Sequence, residues 1–213
     1  MRKKERAAAI IQALETVYPQ AVCSLEYTQP YRLLIAVRLA AQCTDERVNK
    51  VTPVLFERYP TIHELALADV REVVDIVRPC GLGNTKGQDI VDICKLLLAN
   101  YGGVVPDEID ELLKLPGVGR KTANLIVGDV YGKPAIVCDT HCIRITNLMG
   151  LADSKNPDIC ERQLSKILPP DKSNDFCHRL VLHGRAVCKA RNPDCHACTV
   201  RQFCTHGRQS VGL

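Results

Sequence analysis

The sequence has no tryptophan, and aromatic residues make up only 4% of it, which argues against a stacking platform for single-stranded nucleic acid. Nowhere does an apolar run approach the roughly 20 residues needed to cross a bilayer. The opening stretch, Met1-Arg-Lys-Lys-Glu-Arg-Ala-Ala-Ala-Ile-Ile, runs into a helical pattern and lacks the layout of a secretory signal. A soluble protein of the cytoplasm, with no membrane partner, is therefore expected. Period-two alternation is essentially missing, which excludes a sheet-based fold, and there is no internal repeat, low-complexity tract or long linker. An excess of charge is lacking too. The formal charge is +4 and the pI about 8.4, below the usual footprint of an obligate nucleic-acid binder, so any case for DNA must rest on where the charge lies.

What is present is helix. Apolar residues recur three and four apart over Ala7 to Val17, Tyr31 to Arg38, Glu46 to Phe56, Ile62 to Leu65, Val70 to Val77 and Gly87 to Asn100. The same spacing continues over Glu108 to Leu115, Lys121 to Tyr131, Thr140 to Met149, Asp158 to Leu168 and Asn174 to Ala190. Gly81 to Asn84, Tyr101 to Gly103 and Leu168 to Asp171 punctuate the pattern. With 213 residues, 46% of them hydrophobic, the chain can bury a core as one large domain or two small ones. The reading is all-α. Basic residues gather late: from Arg179 onward come Arg179, Arg185, Lys189, Arg191, Arg201 and Arg208 against Asp194 alone. That is either a solvated face or a surface for phosphates.

Val105-Pro-Asp-Glu108 opens a helix with Asp107 as candidate N-cap, and Leu115-Pro-Gly-Val-Gly119 separates it from the next, which begins Arg120-Lys-Thr. This is a helix-hairpin-helix pattern. Gly117 and Gly119 permit a tight turn around Val118, and the turn's amides with the following helix N-terminus, from Arg120 to Thr122, can receive a phosphate. A simple C-cap and loop between two core helices would also use these residues. Lys121 then falls in the first turn, where the helix dipole and Arg120 disfavour an ammonium, and a neutral amine is a nucleophile. An ordinary surface lysine is the alternative. Eighteen residues on, Asp139 precedes an amphipathic helix that carries His141 and Arg144. A capping role is enough to explain Asp139, yet a carboxylate anchored in this way is also held rigidly enough to serve a site.

Twelve cysteines are many for such a chain, and without a secretory segment they favour a reduced compartment and a metal site over disulfides. Cys23, Cys43, Cys80, Cys94, Cys138, Cys142, Cys160 and Cys177 are scattered singly and read as small buried residues. Cys188, Cys195, Cys198 and Cys204 are spaced C-x6-C-x2-C-x5-C. Four thiolates can hold zinc or an iron–sulfur cluster. Zinc sites more often use two short pairs, whereas one short pair after a wide loop suits a cubane better. The wide loop projects Lys189 and Arg191.

These motifs resemble the endonuclease III family of helix-hairpin-helix DNA glycosylases over almost the whole chain. The resemblance rests on Ala41-Gln-Cys-Thr-Asp45 with Val48-Asn-Lys50, Gly81-Leu-Gly-Asn-Thr-Lys86 and Leu115 to Asn124. It also rests on Val137-Cys-Asp-Thr-His141 with Arg144, on Leu182-His-Gly-Arg185, and on the cysteine spacing. It implies two helical domains: a six-helix bundle over 21–131 with its hairpin motif at about 108–131, and a [4Fe–4S] cluster domain from 1–20 and 132–213. The active site would lie in the cleft between them. It implies that Lys121 attacks the sugar with help from Asp139, that Gln42 fills the space of the everted base, and that Leu82 wedges the duplex. The expected activity is removal of damaged pyrimidines from double-stranded DNA and cutting at the abasic site by a monomeric enzyme. A monofunctional mismatch glycosylase of the same superfamily is one alternative, though such enzymes lack the lysine. A non-catalytic DNA-binding module is the other. Three residues depart from the family pattern. Gly83 stands where an aromatic is usual, and Gly87 where alanine is, which predicts a looser wedge loop. Arg38 lies within an apolar helix, where it must reach an acid or face DNA.

Overall fold

In the computed structural model, residues 1–212 are described, and no strand occurs among them. The helices are α1 (Lys3–Val17), α2 (Pro30–Ala40), α3 (Asp45–Arg58), α4 (Ile62–Ala66), α5 (Val70–Val77) and α6 (Gly83–Tyr101). They continue as α7 (Ile109–Leu112), α8 (Arg120–Tyr131), α9 (Thr140–Leu148), α10 (Pro157–Leu164), α11 (Ser173–Ala186) and α12 (Thr205–Val211). Short 3₁₀ turns occur at Arg78–Cys80, Pro170–Lys172 and Arg201–Phe203. The chain divides into one unit of Cys23–Tyr131 and another of Met1–Val22 with Gly132–Leu213.

Local chemistry explains most of the helix starts. The Thr44, Thr61 and Asp69 side chains accept backbone N–H bonds at the starts of α3, α4 and α5, and Thr61 forms a capping box with Glu64. Asn156 caps α10 just before Pro157. In the unit of 23–131, α2 is buried along nearly all its length and packs against α3, α6 and α8. Helix α6 lies along α4 and α5, its inward face built from Lys86, Gly87, Ile90, Val91, Ile93, Cys94 and Leu97. Gly87 is there because α5 comes close. A Cβ on it would stand 2.5 Å from Val74 Cγ2 and 3.1 Å from the Val74 backbone, so it serves helix packing and is not part of the wedge loop. Arg38 reaches an acid: its Nε and Nη2 each lie 2.7 Å from Asp89 Oδ2.

The other unit packs α11 between α1 and α9. Helix α1 contributes Ala7, Ile10, Ile11 and Leu14 to its core. Four of the scattered cysteines, Cys138, Cys142, Cys160 and Cys177, gather here, all buried. Cys80 and Cys94 are buried as expected, but Cys23 and Cys43 are only half-buried.

Several boundaries differ from the sequence reading. Helix α7 is a single turn, and its N-cap is Glu108 with no side-chain cap bond, not Asp107. Helix α11 stops at Ala186 because the N–H groups of Val187 and Cys188 both turn back to the His183 carbonyl. Helix α10 ends at Leu164, ahead of the Pro169-Pro170 break. Helix α6 begins four residues early, at Gly83. Helix α12 gave no signal, since Thr-His-Gly-Arg-Gln-Ser-Val has no apolar period.

Candidate functional site

In the unit of 23–131, Leu115 to Gly119 form the tight turn between α7 and α8. The Val118 N–H bonds the Leu115 carbonyl at 3.2 Å, and Ala123 N–H reaches Gly119 O at 3.0 Å to start α8. Gly117 has φ +68°, and a Cβ on it would come within 2.6 Å of both Arg38 Cδ and Asp89 Oδ2. The hairpin thus rests directly on the Arg38–Asp89 ion pair, which only glycine's missing side chain allows. Val118 is buried and anchors the turn, while Gly117, Gly119, Arg120 and Lys121 are exposed and Thr122 is half-buried. Lys121 stands on the first turn of α8, open to solvent, beside the hairpin amides.

Two further predicted residues of this unit share a rare backbone state. Gln42 has φ +57° and Leu82 φ +51°, both left-handed and both exposed. A non-glycine side chain held there stores strain that surrounding structure must sustain. Lys86 bonds backbone close to both of them. Fully buried on α6, its Nζ donates to Leu39 O at 2.8 Å, where α2 ends, and to Cys80 O at 2.7 Å, in the turn before Leu82. Burial pushes its pKa down, an effect opposed by the nearby Cys43 and Cys80.

In the other unit, Asp139 caps α9: its Oδ1 accepts from Cys142 N–H at 2.7 Å. Its second oxygen lies 3.6 Å from His141 Nδ1. Helix α11 approaches this turn through Gly184, where a Cβ would collide with His141 Cδ2 and sit 3.0 Å from Ile145 Cδ1. Arg144 bends to the cysteine loop, with Nη2 donating to Cys188 O at 2.7 Å and Nη1 lying 3.7 Å from Cys188 Sγ. Its guanidinium is therefore engaged at the loop. Lys189 and Arg191 are exposed there, next to Asn192, the third non-glycine residue with positive φ among those described.

Cys188, Cys195, Cys198 and Cys204 line one pocket, together with Ile145, His183 and Val200. Among the described residues no three His, Cys, Asp or Glu are placed to hold a single metal ion. Donors converge on the sulfurs. Gly207 N–H reaches Cys204 Sγ at 3.3 Å, and His183 Nε2 lies 3.5 Å from Cys198 Sγ. Burial pushes the Cys188 and Cys204 thiols up, and Cys198 to about 11. Backbone donors of this kind offset that penalty for thiolates bound to iron and tune the cluster they hold. The residues fit an iron–sulfur cluster. Burial, and then Arg144, lower the His183 pKa, which keeps its ring neutral beside these sulfurs.

Sequence reasoning gave no role to Lys86, Asp89, His183, Gly184 or Asn192. Only Lys86, His183 and Gly184 fell inside the family motifs, and what they contact is set by chain segments far away in sequence.

Residues 35–170 match the model described as HhH-GPD superfamily base excision DNA repair protein, and residues 188–204 match the iron-sulfur binding domain of endonuclease III. Endonuclease III of Synechocystis sp. is 42% identical over 209 residues, covering 98% of this chain and 95% of that protein. A non-covalent endonuclease III–DNA complex superposes with a TM-score of 0.91 at 38% identity, over 100% of both chains. A trapped endonuclease III–DNA covalent intermediate gives 0.91 at 39%, over 99% of this chain and 100% of that one.

Proposed function

The chain belongs to the endonuclease III family of HhH-GPD base excision DNA repair proteins, and from that premise we propose which of its residues carry the reaction. It is a DNA glycosylase with abasic-site lyase activity that acts on damaged double-stranded DNA, and it carries a [4Fe–4S] cluster. Among the described residues no helix is long and apolar enough to cross a membrane, and we place the enzyme in the cytoplasm, on the chromosome.

The substrate's C1′ cannot be reached inside the base stack, so the damaged pyrimidine must first leave it. Leu82 enters the duplex as the base everts, and Gln42 occupies the space the base leaves. Both present exposed side chains from fixed left-handed positions. The hairpin amides of Gly117, Val118 and Gly119, with Arg120 and Thr122 at the start of α8, grip a phosphate through the helix N-terminus. In the other unit, His141, Lys189 and Arg191 are phosphate contacts, and Arg144 serves the same interface by holding the cysteine loop through Cys188 O.

Lys121 Nζ, as the free amine, then attacks C1′ and displaces the base, and Asp139 takes part through its carboxylate. The nitrogen gives up one proton, and O4′ takes one up as the C1′–O4′ bond breaks, which leaves a protonated Schiff base. This acidifies the 2′ C–H, and its removal expels the 3′ phosphate by β-elimination. Cys188, Cys195, Cys198 and Cys204 would hold the cluster, which supplies a cross-link that fixes the loop from Lys189 to Asp194.

The observation that carries the lysine assignment is its place: exposed, on the first turn of α8, immediately after the phosphate-binding hairpin. Nicking of an abasic duplex tests it. Lys121→Gln should bind the duplex as wild type does and lose nicking by at least about 10³-fold. Undiminished nicking would remove Lys121 from the mechanism. A mismatch-only glycosylase would release bases without nicking, and a binding module would do neither.

A further inference from the structure

Lys86 is among the largest fully buried side chains of the described residues and is charged, yet both hydrogen-bond partners of its ammonium are backbone carbonyls. A buried ion without a carboxylate is costly, so its position needs a reason. The two carbonyls are informative. Leu39 O belongs to the last turn of α2, three residues before Gln42, and Cys80 O lies two residues before Leu82. A cation there completes carbonyls that a helix end leaves without partners. The Lys86 backbone joins the same arrangement, its N–H bonding Leu82 O at 3.0 Å. The segments that present Gln42 and Leu82 are therefore tied together through the Lys86 ammonium.

We propose that Lys86 is a positioning residue for base extrusion, locking the Gln42 and Leu82 segments into one rigid unit so that wedging the duplex and filling the vacated space occur together. This rests on the reading that Gln42 and Leu82 act in extrusion. Lys86 itself touches no substrate. Its loss should weaken the steps that need a duplex opened and spare the chemistry at a sugar already exposed.

The test uses the full chain with its cluster and compares two substrates: a duplex bearing an oxidised pyrimidine, and a single strand carrying an abasic site. Lys86→Met should lower base release from the duplex by about tenfold while single-strand cutting stays within about twofold of wild type. In the Gln42→Ala background, Lys86→Met should add little, because the two act through one arrangement. Equal losses on both substrates would mean a general structural role and overturn the proposal, as would full additivity with Gln42→Ala. If Gln42→Ala and Leu82→Ala retain full duplex activity, the underlying reading fails and the proposal falls with it. If they lose activity and Lys86→Met does not, the proposal alone fails. Should Lys86→Met not fold, Lys86→Gln, which keeps an N–H donor of shorter reach, takes its place: a loss confined to the duplex supports the proposal, and equal losses overturn it.

Discussion

Gly117 shows how much of this site is decided by a single missing methyl group. Its φ of +68° and the Arg38 and Asp89 atoms 2.6 Å from a would-be Cβ leave no room for alanine. Gly117→Ala should cost about 2 kcal/mol or more, from left-handed strain plus displacement of a paired guanidinium. Chemical denaturation should show this as a lowered midpoint at unchanged slope, together with lost duplex affinity. A variant of wild-type stability and affinity would show that the hairpin does not rest on the ion pair. Arg38, conspicuous in an apolar helix, is explained by the same contact. It could be foreseen that Arg38 needed an acid, but not that the acid was Asp89, 51 residues away.

At the scale of elements, the existence of every helix but α12 was legible, and helix ends were not. The capping residues Thr44, Thr61, Asp69 and Asn156 and the 3.6-residue period are local signals, and each marks a helix that forms. The end of α11 depends on two amides sharing the His183 carbonyl, and α12 on packing against α9 and the Arg201–Phe203 turn. Neither leaves a pattern in sequence. The hairpin, Lys121 and the cysteine spacing were legible because they are contiguous. The Lys86 clamp and the approach of Gly184 to His141 were not, because they join distant segments. Gly87 belongs to this scale too. Gly87→Ala should drive α5 and α6 apart and cost about 1–3 kcal/mol. Val74→Ala should recover much of that loss in the double variant, read from thermal midpoints. Additive losses would mean that the tight α5–α6 contact at Val74 is not the reason for the glycine.

Across the whole molecule, charge is divided unevenly. The unit of 1–22 and 132–213 has 16 Lys and Arg against 9 Asp and Glu, whereas the unit of 23–131 has 12 against 15. The modest overall charge therefore conceals a basic half that carries the cysteine loop. Lys189→Ala and Arg191→Ala should each weaken duplex binding regardless of sequence and reduce the slope of log affinity against log salt by about 1. An unchanged slope would mean the loop does not meet phosphate. Everything in the proposed chemistry depends on a covalent bond between Lys121 and the sugar, and borohydride reduction during reaction with an abasic duplex makes that bond permanent. Wild-type enzyme should become irreversibly attached to the DNA and Lys121→Gln should not. Equal trapping of both would exclude Lys121 as the nucleophile.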